Sequence, residues 1–97
     1  IYTSVKDLME AFVGEKKKFS KPVIVEFTEG VYKPGFITQD DLFEINLPGL
    51  VGVYFPHSYA FSGNLFFIDN AKIKLYEGNP TDFMKFIVSG GVTEIEN

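Results

Sequence analysis

Pro22-Val23-Ile24-Val25-Glu26-Phe27-Thr28 decides how this chain is read. Val23, Val25 and Phe27 fall on one face at the period of two that a strand imposes, with Ile24 and Glu26 on the other. Glu29-Gly30 punctuates the run. Tyr32-Lys33-Pro34-Gly35-Phe36-Ile37-Thr38 follows as a second strand, where Pro34 and Gly35 predict a bulge or an edge. Asp40-Asp41 predicts a turn, because Asp side chains bond readily to nearby backbone N–H groups. Phe43-Glu44-Ile45-Asn46-Leu47 then alternates like another strand. After Pro48-Gly49, Leu50-Val51-Gly52-Val53-Tyr54-Phe55 is apolar throughout, the pattern of a strand covered on both sides. A loop over residues 56–63 leads to Asn64-Leu65-Phe66-Phe67-Ile68, and Asp69-Asn70 turns into Lys72-Ile73-Lys74-Leu75.

Outside this β region, about residues 22–76, the period changes. Val5, Leu8, Met9, Phe12 and Val13 follow the spacing of one helix face, predicting a helix over about residues 3–14 with Ser4 as N-cap and Gly14 as its stop. Near the other end Asn79 is placed as N-cap, Pro80 at the first helical position and Asp82 at the third. Phe83, Phe86 and Ile87 supply the apolar stripe, and Gly90-Gly91 ends a helix over about residues 80–89. The expectation is a single domain over residues 1–97 of the α+β class. Its core would be a small rolled antiparallel sheet or barrel of five to six strands, with an N-terminal and a C-terminal helix.

Composition narrows the function. The 97 residues are 45% hydrophobic and 23% charged, and 16% aromatic content excludes a disordered chain. With no cysteine there is neither a disulfide nor thiolate chemistry, and one histidine cannot build a multi-histidine metal centre. The formal charge is −4, and none of the basic residues is arginine. Charge is divided: residues 1–21 carry five lysines against Asp7, Glu10 and Glu15, whereas the rest carries four lysines against ten acids. An acidic β region is a poor surface for phosphate backbones, so no nucleic-acid partner is expected. No stretch approaches the length of a membrane span, and Ile1-Tyr2-Thr3-Ser4 does not read as a signal peptide. Without an initiator Met, the chain is expected to be part of a longer protein.

The search for chemistry finds no catalytic set. His57, the one histidine, is the only candidate general base, with Ser58 next to it and Ser62 close by, yet no carboxylate is identifiable as an orienting third group. No calcium loop and no phosphate-cradling glycine loop is present. The expectation is no enzyme, no metal and no cofactor. Two segments remain as candidates for binding. The loop with His57, Ser58, Tyr59, Phe61, Ser62 and Gly63 places aromatics where a turn is normally polar. Lys16, Lys17, Lys18 and Lys21 form the one basic cluster, suited to an anionic membrane surface at about 1 kcal/mol per lysine.

Several stretches carry the motifs of one known family. Ile1-Tyr2-Thr3-Ser4-Val5-Lys6, with Lys17-Lys18-Phe19, resembles the family's I-Y-x-S-V-K helix and trailing basic run. Val23-Ile24-Val25-Glu26-Phe27, Gly30-Val31-Tyr32 and Gly35-Phe36-Ile37-Thr38 resemble its V-x-V-E-[YF] to G-F-V-T block. Val53-Tyr54-Phe55-Pro56, Ser62-Gly63-Asn64-Leu65 and Lys85-Phe86-Ile87-Val88-Ser89-Gly90-Gly91-Val92 resemble its later motifs. The loop departs: where many members read P-T-T-P-N-P-T-S-G, only Pro56 and Ser62-Gly63 are kept. In these segments the chain resembles the domain of unknown function 502 family, bacterial membrane proteins related to the plant LIKE COV proteins. That resemblance implies two membrane-spanning helices before Ile1 and no established catalytic activity. It makes residues 3–14 a juxtamembrane helix, and the chain a domain on the cytoplasmic face of the inner membrane.

These readings together lead to a non-catalytic module that binds a partner protein or associates with itself. The alternative on the same scaffold is a small-ligand or lipid-headgroup sensor, and a hydrolase using His57 and Ser58 is the remaining option.

Overall fold

The computed structural model describes residues 20–95, which form a five-stranded antiparallel sheet with one helix. The strands are β1 (Pro22–Thr28), β2 (Val31–Gln39), β3 (Leu50–Pro56), β4 (Gly63–Asp69) and β5 (Ile73–Leu75), and the helix is α1 (Pro80–Val88). The spatial order is β4-β3-β2-β1-β5. Four strands run as a meander, and β5 returns to pair with β1 through Val23↔Leu75 and Val25↔Ile73. The predicted helix over residues 3–14, and Lys16, Lys17 and Lys18, lie outside the described residues.

The sheet is open, not a barrel. Closure would require β4 to join β5, and a three-residue β5 offers too short a ladder. The alternation at residues 43–47 also resolves differently. Asp41 Oδ1 accepts from Phe43 N at 3.1 Å, starting a 3-10 turn at Phe43–Ile45 that Asn46 ends in the left-handed region at φ 63°. The buried Leu42 anchors this turn, while Phe43 and Ile45 point into solvent. Pro34 and Gly35 make no bulge, and the irregularities fall between Glu26 and Thr28 and between Ile37 and Gln39. The Ile37 N to Lys21 O bond fixes the alternation between β1 and β2, so the nitrogen of Pro34 faces away from β1. There the β2–β3 register begins only at Phe36, so the missing N–H interrupts no rung.

The strands are apolar on both faces. On the first face, Phe36 packs with Phe83, Met84, Ile87 and Val88 of α1, and Ile24, Tyr54 and Tyr76 border the cluster. Tyr76 stacks on Phe83 at 4.5 Å between centroids. Asn79 Oδ1 caps α1, accepting from Thr81 N at 2.8 Å and Asp82 N at 3.1 Å, as its sequence predicts. On the second face Val23, Val25, Val51, Val53 and Phe55 are buried together. Phe27, Phe55 and Phe66 meet edge to face at one end of it, under the Lys33 ammonium 5.0 Å from the Phe27 centroid.

Candidate functional site

The loop over residues 57–62 joins β3 to β4 and is bound to the end of α1. His57 N donates to Ser62 O at 2.9 Å, extending the β3–β4 ladder by one rung. Ser58 Oγ donates to Ile87 O at 2.9 Å, and Tyr59 N to Val88 O at 2.8 Å. These carbonyls belong to the last turn of the helix; Ile87 O also accepts from Gly90 N at 3.0 Å, while the loop supplies the donor to Val88 O. Gly90 and Gly91, at φ 72° and 85°, complete the stop, with Gly91 N donating to Phe86 O at 2.8 Å. The loop is therefore held by the helix, and Tyr59 accepts a left-handed φ of 54° to make the contact.

His57 and Ser58, neighbours in sequence, do not pair. The imidazole instead lies between Ser62 and Asn64, on the exposed end of β3 and β4. Asn64 Nδ2 donates to His57 Nε2 at 3.2 Å, which leaves the ring proton on Nδ1 to donate to Ser62 Oγ at 2.9 Å. That polarity is the reverse of a base drawing a proton from a serine. Gly63 is required for packing, because the Tyr54 ring occupies the space its side chain would need. Tyr59 and Phe61 are 58% and 54% exposed, presented outward by a fixed backbone.

The apolar surface continues along β4. Leu65 and Phe67 stand opposite Tyr54 and Gly52, on the α1 face of the sheet but beyond the helix, and are 55% and 44% exposed. The His57 N to Ser62 O and Asn70 N to Gly49 O bonds fix which rungs of the β3–β4 pair are hydrogen-bonded. By that alternation Asn64, Phe66 and Ile68 turn their backbone groups toward β3, and Leu65 and Phe67 turn theirs outward. Sequence reasoning singled out the loop but missed Asn64, Leu65 and Phe67. The apolar run around them was visible, yet nothing in it marked β4 as an edge.

Lys21 pairs with Asp40 at 2.6 Å. The pair lines a groove of about 620 Å³ beside β5, which Pro22, Ile37, Ile73 and Leu75 also line. Burial raises the Tyr54 phenol above its ordinary pKa. Among the described residues no cluster of three His, Asp or Glu side chains could hold a metal, and no helix is long and apolar enough to cross a membrane.

No curated protein and no solved structure matches this chain. A family model does match, over residues 1–63, from the N-terminal motif to the first residue of β4. That span takes in the β1 and β2 motifs and ends with the Ser62-Gly63 pair, so the chain belongs to the family described as protein of unknown function (DUF502).

Proposed function

We propose that this domain is a non-catalytic interaction module, tethered to the cytoplasmic face of the inner membrane, that engages a partner protein or a second copy of itself. The observation that carries the reading is the outer edge of β4: Leu65 and Phe67 are exposed there and turn their backbone groups away from β3. An uncovered apolar edge of this kind is a template for pairing with another chain. Tyr59 and Phe61, held outward by the α1 contacts, extend the surface with aromatic anchors. The tether follows from the family resemblance, with Lys16, Lys17, Lys18 and Lys21 near the headgroups.

The test is association of the chain with itself and with detergent-solubilised membrane proteins, compared with a Leu65→Lys, Phe67→Lys variant and a Tyr59→Ala, Phe61→Ala variant. Both should retain the fold and lose association. Association unchanged in both variants would overturn the reading. A second reading rests on the groove beside β5, whose apolar residues border Lys21, Asp40 and Glu77 and would suit a small zwitterionic ligand or lipid headgroup. Perturbation by zwitterionic headgroup analogues of amide signals confined to residues 20, 21 and 73–77 would favour it.

A further inference from the structure

The two edges of the sheet are built differently. β5 has three residues, with Lys72 before it and Lys74 within it, a short and charged edge of the kind that discourages pairing. β4 has seven, and its run Gly63-Asn64-Leu65-Phe66-Phe67-Ile68 contains no charge and no proline before Asp69. The outward N–H and C=O groups of Leu65 and Phe67 specify an extended strand as the occupant, since only a strand repeats donors and acceptors at that interval.

We infer that the occupant is β4 of a second copy, paired antiparallel about a two-fold axis at Phe66. The inference rests on the interaction reading above and names its partner. Outward-facing residues must meet outward-facing residues, and among the registers that satisfy this the one centred on Phe66 overlaps the whole of Gly63–Asp69. In it Leu65 faces Phe67 of the second copy, and the two exposed apolar side chains cover each other on the α1 face. Each Asp69 lies opposite Gly63 of the other copy, so the carboxylates sit at opposite ends and neither meets a like charge across the seam. Phe66 meets its own counterpart as a non-hydrogen-bonded pair on the second face. The product is one continuous ten-stranded sheet with both helices on the same side.

Sedimentation equilibrium of the 97-residue chain over a wide concentration range tests the pairing, and a cysteine scan tests the register. The mass should rise from 10.9 kDa toward twice that value, and Phe67→Lys should weaken association about tenfold or more. A chain monomeric at every concentration would overturn the inference. If Phe67→Lys then still lost capture of a different membrane protein, the interaction reading would stand without it. With no native cysteine to interfere, Phe66→Cys should form an intermolecular disulfide under mild oxidation, because Cα atoms of a non-hydrogen-bonded pair lie about 4.5 Å apart. Asn64→Cys, which faces Ile68 of the second copy, should not. Equal cross-linking of both would contradict this register. Phe66 also contacts Phe27 and Phe55, so the wild-type and Phe67→Lys masses decide the pairing even if Phe66→Cys fails to fold.

Discussion

The Phe55 ring fills the space that a side chain at Gly35 would need: a Cβ there would lie 2.8 Å from Phe55 Cδ1 and 2.8 Å from the Tyr54 carbonyl oxygen. The carbonyl is backbone in the centre of the sheet and cannot yield. Gly35→Ala should therefore destabilise the domain by about 1–3 kcal/mol, the usual cost of overpacking a core. Chemical denaturation measures it, and an unchanged midpoint would show that β2 and β3 shift apart freely.

Phe61 gives the opposite expectation. It is mostly exposed, and the loop that carries it is held by Ser58 and Tyr59 and not by its own ring. Phe61→Ala should change stability by no more than about 0.5 kcal/mol, as exposed substitutions do. A loss of about 3 kcal/mol would mean that the ring closes a cavity.

Ser58→Ala removes one of the two donors to Ile87 O, which keeps Gly90 N at 3.0 Å, and with it the side-chain bond that ties the loop to the end of α1. A loss of about 0.5–1.5 kcal/mol is expected, by thermal or urea unfolding. Faster exchange of the Tyr59 amide should accompany it, since that N–H docks the same loop on Val88 O.

Tyr54 sets a limit at alkaline pH. Its phenol is held above the ordinary value of 10.0 by burial, so the folded chain keeps the proton at a pH where the unfolded chain gives it up. The contribution to stability is constant below pH 10 and is lost as pH rises from there through the folded value. Tyr54→Phe should flatten that part of the stability profile. An identical alkaline slope in the variant would assign the loss to other groups.

Most strands were legible because alternation reports burial directly. Val23, Val25 and Phe27 share a face as read, and the all-apolar Leu50–Phe55 stretch is buried against both layers. Asn79, Pro80 and Gly90-Gly91 bound α1 as their chemistry predicts. Phe43 and Ile45 misled, because two alternating apolar residues cannot outweigh the Asp41 side chain bonding Phe43 N. Openness of the sheet was not legible at all. Alternation gives faces, but which strands are left at the margins depends on pairing order, and β5 joins β1 and not its sequence neighbour β4. For the same reason the loop was found and the β4 edge beside it was not. The His57 partners were half found: Ser62 was in view, while Asn64 lay inside a strand and carried no signal of its own.

Amide hydrogen exchange resolved by residue, at low and high protein concentration, tests most directly whether the β4 edge is the surface this domain uses. Asn64, Phe66 and Ile68, turned toward β3, should be protected at both. Leu65 and Phe67, turned outward, should exchange quickly when dilute and become protected as concentration rises. Outward amides that exchange quickly at every concentration, in a chain whose other amides change together or not at all, would contradict the account.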